Sequence, residues 1–371
     1  MNYHPIFKKA KIWQRELINR TVLAPMSRVS ATTDGMATYE MSKYYTAFAT
    51  GGFGIIITEG IYTDASSSKS YDRQPGLINP DQCAAWEKIT QSVHKSPTLI
   101  FAQLMHGGAL SQCGENTLAP SAVQPVGMKS VSFGGEGSFP LPKEMSIEDI
   151  QKMQDGFIRA ADYAHKAGFD GIEIHAANGY LLDQFLTPEL NRRIDRYGGE
   201  IRNRFRVISE IITGIKDMVP ESFIVGLRVA EGKVNDLTYR WSGGVETAKE
   251  LASQIKLSRP DFVHVAVQTG EWERDSFYGD GTSLASVIRE ITNIPVIANG
   301  GFHNLEKAKT ALNEKHADLL AIGKAALADP HWPIKTRDNL LTVPFHRNML
   351  WPEATISHTL KIIHKLDTVE S

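Results

Sequence analysis

Short apolar runs and amphipathic stretches take turns along most of the chain. The first run, Thr21 to Ala24, ends at Pro25, which has no N–H to give a sheet ladder, so a strand stops there. Residues 39–50 keep helical spacing and run into Gly51 and Gly52, a common helix stop. The alternation then repeats. Gly54 to Thr58 is β-branched and apolar, a helix starts at Pro80 and carries Trp86, Ile89 and Val93, and Thr98 to Leu104 is again strand-like. Ser146 and Asp149 make a capping-box start for a helix with Ile150, Met153, Phe157, Ala161 and Ala164 on one face. Strands follow at Gly171 to His175, Phe223 to Val229, Phe262 to Ala266, Pro295 to Asn299 and Asp318 to Ile322. Between and after them, helical spacing recurs through Phe205 and Ile215, from Val245 to about Ile255, at Leu284 to Ile291, at Leu305 to Leu312, and from Ala325 to Asp329.

Eight strand-then-helix units argue for a parallel sheet with helices outside it. About 320 residues for eight units suits a closed (β/α)8 TIM barrel. The alternative, an open doubly wound sheet, more often carries a Gly-rich dinucleotide turn, and no G-x-G-x-x-G occurs here. Residues 1–337 are therefore expected to form one α/β barrel domain, entered by a short hairpin within residues 3–19. A polar excursion at about 111–143 breaks the pattern, and Gly134, Gly135 and Gly137 read as a hairpin turn or flap. Residues 338–371 lie outside the repeat, as an extension packing on the barrel or at an interface, so a homo-oligomer stays open.

Composition narrows the function classes. The 371 residues carry Lys+Arg 40 against Asp+Glu 42, a net charge of -2, which gives no reason to expect nucleic acid or an anionic membrane as partner. The longest apolar runs, such as Ile55 to Ile57, are far too short to span a bilayer, and the N-terminal residues lack a signal-peptide core. Two cysteines, Cys83 and Cys113, fit a reducing compartment and supply neither a disulfide framework nor a metal set. The expectation is a cytoplasmic protein acting on small molecules, without a metal.

Reactive groups in such a barrel come from the C-terminal ends of its strands. Those ends offer Ala24, Pro25, Met26 and Ser27 from the first strand, Glu59 and Gly60 from the second, Gln103 and His106 from the third, and Arg228 from the fifth. The seventh and eighth give Gly300, Gly301, Gly323 and Lys324. Glycines at these two adjacent ends, with a lysine, point to a phosphate, although each pair alone is more often a tight turn. Gln103 and Arg228 suit a flat imide heterocycle carrying negative charge; a satisfied buried amide and a salt bridge to Glu173 are the plainer readings. The fourth unit is the densest, with His175, Asn178 and Tyr180 within six residues. Singly, such residues are structural bonds, turns and packing. Together, two neutral donors can hold one carbonyl oxygen and a phenol can give a proton.

These residues carry a resemblance. NRTVLAPMS at 19–27, GIIITEG at 54–60, QLMHGG at 103–108, IEIHAANGYLLDQFLTP at 172–188 and NRRIDRYGG at 191–199, continuing through NRF at 203–205, are similar to segments of the Old Yellow Enzyme family, over roughly residues 5 to 335. The resemblance implies bound FMN, NAD(P)H as reductant, and reduction of the activated C=C bond of α,β-unsaturated carbonyl or related electron-poor compounds, with quinones and nitro compounds as further acceptors. It implies Ala24, Pro25, Met26 and Gly60 against the flavin and Ser27 where the family places Thr or Cys near the flavin C4 carbonyl. Gln103 would face the pyrimidine, Arg228 would lie near N1, and Gly300, Gly301, Gly323 and Lys324 would cradle the phosphate. His175 and Asn178 would bind the substrate carbonyl, His175 also touching the flavin, and Tyr180 would donate the proton. The family usually has Arg where Lys324 stands; lysine keeps the charge but loses the two-pronged geometry, which predicts a weaker hold on FMN. No cysteine follows Cys113, which separates the chain from the iron–sulfur branch. Two other readings are a flavin-free barrel lyase or isomerase using the phosphate site, and a barrel that binds flavin or a small ligand without catalysis.

Overall fold

The computed structural model describes residues 4–369, with side chains through Lys365. Eight parallel strands close into a barrel. In chain order they are β1 Thr21–Leu23, β2 Ile55–Tyr62, β3 Leu99–Met105, β4 Gly171–Asn178, β5 Ile224–Lys233, β6 Phe262–Val265, β7 Val296–Asn299 and β8 Leu319–Ile322. Each neighbours the next, and β8 pairs with β1 through Leu320–Thr21 and Ile322–Leu23. The outer helices are α1 Tyr39–Thr50, α2 Pro80–Val93, α3 Ile147–Lys166, α4 Ile201–Met218, α5 Gly244–Ser258, α6 Leu284–Thr292, α7 Leu305–Asn313 and α8 Lys324–Ala328. This is the expected TIM barrel. The expected capping box is present: Ser146 Oγ accepts from Asp149 N, and Ser146 N donates to Asp149 Oδ2 at 2.8 Å.

Strand alternation divides the apolar residues into two layers. Outward residues such as Ile172, Ile174, Val225, Leu227, Val263 and Val265 pack under the helices in one large cluster. Inward residues fill the bottom of the barrel, where Phe101, Phe262, Ile57, Ile297 and Leu319 meet. Gly226 is glycine for a packing reason, since a Cβ there would lie 2.0 Å from the Phe262 ring.

The expected hairpin closes this lower end. Residues Ala10–Ile12 pair antiparallel with Arg15–Leu17. The turn residues Trp13 and Gln14 have φ of 54° and 61°, as a two-residue hairpin turn with matching twist requires. Trp13 packs on Phe101 and Phe262 at centroid distances of 5.8 and 5.6 Å, and its Nε1 donates to Asp261 O at 2.7 Å. Trp13→Ala is expected to cost about 3 kcal/mol in urea unfolding while leaving cofactor content intact, because the plug and the mouth are at opposite ends of the barrel.

Three strands run further than their apolar runs suggest. β2 continues to Tyr62, β4 to Asn178 and β5 to Lys233. The register shifts between Ile57 and Gly60 and again between Ala176 and Asn178. Hydrophobicity fades at Thr58 and His175, but the backbone resumes pairing past each irregularity, with Gly60 opposite Gln103 and Asn178 opposite Lys233. Such irregularities at a barrel rim re-aim side chains, and here they lie at the functional end.

The polar excursion folds back over that end. Met128 bridges Ser138 antiparallel, so the glycine-rich segment is a hairpin-like turn, and Leu118–Ala119 pairs with Lys143–Glu144. The C-terminal segment docks against it: Ala354 N donates to Ser132 O at 2.9 Å. Arg28, fully buried, holds the segment through Thr355 O at 2.9 Å and the Thr359 hydroxyl. Helix Ile356–Val369 follows. Among the described residues no helix is long and apolar enough to cross a membrane.

Candidate active site

The C-terminal mouth of the barrel opens into a cavity of about 560 Å³, within the usual range for small-molecule sites. Thirteen of the fourteen residues to which the resemblance gives a flavin or substrate role line it: Ala24, Pro25, Met26, Ser27, Gln103, His175, Asn178, Tyr180, Arg228, Gly300, Gly301, Gly323 and Lys324. Gly60 is the fourteenth and stands behind the wall. A Cβ on it would lie 2.3 Å from Met105 Sδ, Met105 itself lines the cavity, and the Gly60 carbonyl accepts from Gln74 Nε2 at 2.8 Å. His106 is turned away from the mouth, bonded to Ser67 Oγ and Gly108 N; burial pulls its pKa down to about 4, against the nearby Asp64, so it is a neutral structural group.

The floor is a layer of inward side chains from four neighbouring strands. Gln103 stands opposite Glu173, and Arg228 stands opposite both His175 and His264. Glu173 is fully buried and accepts from Gln103 Nε2 at 2.7 Å and from His264 Nδ1 at 2.8 Å. Burial by itself would raise its pKa, but His264, then Arg228 and Gln103, more than offset this and hold it below the ordinary value. The salt bridge considered for Arg228 and Glu173 is not formed; Arg228 feels the carboxylate's charge without an ion pair. The negative charge is instead fixed between Gln103 and His264.

That arrangement leaves the ligand-facing groups free. With one amide hydrogen committed to Glu173, Gln103 keeps its oxygen and its second hydrogen for a ligand. Arg228 Nε and His175 Nδ1 are buried with no partner. Buried polar atoms are rarely left unpaired, so these orphans mark where a bound group completes the site. His175 is held neutral, its pKa pushed well below the usual value by burial, Arg228 and His264. Glu173→Gln is expected to cost about 1–3 kcal/mol at neutral pH, because the replacement amide cannot accept from both neighbours. A depressed carboxylate contributes its stability fully above the ordinary value of 4.5 and loses it as pH falls through the folded value. The gap in melting temperature between parent and variant should therefore narrow below that pH.

His175 and Tyr180 come together through the turn between them. Asn178 and Gly179 have φ of 68° and 88°, which reverses the chain and sets the Tyr180 ring edge-on to His175 with centroids 5.2 Å apart. Asn178 is thus both the turn residue and a site residue. Gln268 Nε2 donates to Asn178 Oδ1, which leaves the Asn178 amide hydrogens to face the cavity. Burial raises the Tyr180 phenol, so it keeps its proton at neutral pH.

The other end of the cavity is lined by glycines. Gly300 and Gly301 have φ of 141° and 85°. A Cβ at Gly300 would meet Trp272 at 2.9 Å, and one at Gly301 would meet the Gly270 carbonyl at 2.8 Å. Close packing of the loop after β6 thus demands both glycines, and that packing also brings Gly270 to the wall. Lys324 Nζ lies 6.0 Å from the centroid of the Phe345 ring. The cavity thus has a polar side at Gln103 and Arg228 and a glycine-lined side at Gly300, Gly301 and Gly323 that carries the Lys324 ammonium.

Sequence reasoning missed Tyr71, Phe133, Gln268, Leu350 and Ala354, which also line the cavity. Tyr71 follows β2 in a Ser-rich loop, and only its place just beyond a barrel strand would have flagged it. Leu350 and Ala354 arrive from the tail, which has no periodicity to place it. The lining includes one lysine, Lys324, and one carboxylate, Glu271. A lyase or isomerase relying on a carboxylate pair would lack its machinery.

Comparison with known proteins settles the family. The model of the NADH:flavin oxidoreductase / NADH oxidase family matches residues 5–342. The chain belongs to this family, that of Old Yellow Enzyme. It is 33% identical over 346 residues to an NADH oxidase of Thermoanaerobacter brockii, covering 91% of this chain and 52% of that protein, so it spans about half of that relative's length. It is 31% identical over 343 residues to a probable flavin mononucleotide-dependent alkene reductase of Leishmania infantum, covering 88% of both. The Old Yellow Enzyme homologue from Zymomonas mobilis superposes with a TM-score of 0.84 at 26% identity, covering 95% of this chain and 99% of that one. The chain is thus an enzyme of the NAD(P)H:flavin oxidoreductase family.

Proposed function

We propose that this family member reduces the C=C bond of alkenes conjugated to a carbonyl or similar electron-withdrawing group, at the expense of NAD(P)H. The observation that carries the reading is the set of neutral donors on one wall: His175 without a protein partner, Asn178 turned outward by Gln268, and protonated Tyr180 beside them. FMN, when bound, supplies hydride exchange between the nicotinamide and the alkene. Gln103 and Arg228 would hold its polar edge, with Gly300, Gly301, Gly323 and Lys324 at its phosphate and Pro25, Met26 and Ser27 along the first-strand wall. His175 and Asn178 would donate to the substrate's carbonyl oxygen and stabilise the charge that grows there. Neutral His175 suits this task, because its N–H can donate without adding a second cation beside Arg228. Tyr180 would give its proton to the α-carbon. Quinones and nitro compounds share the polarised oxygen that this wall reads. One experiment tests the reading: the purified protein is examined for flavin absorbance, reduced anaerobically with NADH and with NADPH, and mixed with 2-cyclohexenone. Bleaching followed by recovery of the oxidised spectrum and formation of the saturated ketone supports it. A protein that bleaches but is not reoxidised by any enone would overturn the alkene assignment.

A further inference from the structure

Tyr71 reaches the cavity from the loop after β2 and meets Tyr180. Their hydroxyls share a short hydrogen bond, and both residues are buried, at 3% and 7% exposure. The Tyr71 ring packs on Phe133 with centroids 4.5 Å apart, so the hydroxyl is held toward Tyr180 by a ring that the excursion covers. Either hydroxyl can give the hydrogen in the resting pair. Burial raises both groups. On Tyr180 this is opposed by the bond from Tyr71 and by the Arg228 charge. On Tyr71 nothing opposes it: Tyr180 and the Cys113 thiol add to it, and the phenol stands well above its ordinary value. Once Tyr180 has given up its proton its oxygen can only accept, and Tyr71 is the hydroxyl bonded to it and able to donate.

We infer that Tyr71 is a positioning residue for proton delivery: its O–H donates to Tyr180 Oη, aims the Tyr180 proton into the cavity, and holds the phenolate left after transfer. The inference rests on the alkene reading above. The step balances as follows. The reduced cofactor, when bound, would supply the hydride for the β C–H bond, leaving the π pair on the carbonyl oxygen as an enolate. The enolate's pair then takes the Tyr180 proton and forms the α C–H bond. The O–H pair remains on Tyr180 as phenolate, bonded by Tyr71 until a proton from water restores the phenol. The sequence pattern gives no hint of this pairing, because the two tyrosines come from different units and meet only in the closed barrel.

Tyr71→Phe keeps the ring and removes the hydroxyl. In the reduced holoenzyme, reoxidation by 2-cyclohexenone, which needs a carbon protonated, is compared with reoxidation by 1,4-benzoquinone, which does not. The enone-to-quinone rate ratio is expected to fall about 10- to 100-fold, the range for losing one hydrogen bond to a charged group. A second readout is independent of turnover. Ultraviolet difference titration of tyrosinate, with the Tyr180 contribution isolated by subtracting the Tyr180→Phe protein, should move to higher pH when Tyr71 is Phe. An unchanged ratio, or an unmoved titration, overturns the inference. Tyr180→Phe run alongside separates the two layers. If it slows enone reduction while Tyr71→Phe does not, only the role of Tyr71 fails. If it too is silent, the assignment of Tyr180 as acid fails and takes the inference with it.

Discussion

Tyr180→Phe should slow alkene reduction by ~10²–10⁴-fold, the range for removing a general acid, while reduction of bound FMN by NAD(P)H proceeds at close to the parent rate. The asymmetry follows from where protons are needed. Taking hydride from a nicotinamide requires no proton from this wall, whereas a reduced enone must acquire one at carbon. The phenol is suited to supply it because burial keeps it protonated through neutral pH, and its bond from Tyr71 lowers the cost of the anion that follows. The effect should also depend on pH in one direction. In the parent, alkene reduction should hold through neutral pH and decline only as the phenol ionises above its ordinary value of 10.0. The variant should lose that alkaline decline along with its rate. Stopped-flow traces of the two half-reactions check both points. Equal losses in the two halves would mean that the substitution disturbs the cavity as a whole and that Tyr180 is not the acid.

Much of this cavity's lining is legible in the sequence. A (β/α)8 barrel puts its strand ends on one rim, so reading the residues at eight strand ends amounted to reading a site. His175, Gln103 and Arg228 are legible that way because they stand at or near the ends of the apolar runs in β4, β3 and β5, although the strands themselves continue past them. The pattern also places Gly60 on the rim, since it follows an apolar run. The structure sets it against the Met105 side chain, just outside the cavity lining, a contact between neighbouring strands that cannot be seen in a sequence. The reading of Arg228 as a partner of Glu173 failed for a similar reason. Both point inward from neighbouring strands, but Glu173 is taken by Gln103 and by His264, two strands beyond. His264 sat in plain view in an apolar strand with nothing nearby in sequence to pair with it. What was not legible came from segments without periodicity. Tyr71, Phe133 and Ala354 reach the cavity from a loop, an excursion and a tail, and their positions are set by tertiary bonds such as Ala354 N to Ser132 O. These segments complete the wall around the donor set, which is where choice among acceptors would be made.

Replacing His175 and Asn178 together by alanine should slow enone reduction by about 10²–10³-fold, since each oxyanion donor is worth that order and two donors to one oxygen do not add independently. The same double variant should lose an equilibrium signal. A para-substituted phenol is a flat ring with an oxygen at the carbonyl position, and the parent should bind it as phenolate against oxidised FMN, with a long-wavelength absorbance band. Two hydrogen bonds to one anionic oxygen explain why a neutral wall can favour the ionised ligand, with Arg228 adding long-range support. The pH dependence then belongs to the ligand. Binding should tighten as pH rises toward the phenol's own pKa and level off above it. No step is expected around 6.5, because His175 is held neutral far below that value by burial, Arg228 and His264. A step near 6.5 would show that His175 titrates in the complex and that an imidazolium holds the anion. Persistence of the band in the double variant would show that neither residue holds the oxygen. FMN content separates the outcomes further. The variant should keep its flavin, since Gln103, Arg228 and the glycines toward Lys324 are untouched, and loss of flavin in step with loss of the band would move His175 from the substrate side of the site to the cofactor side.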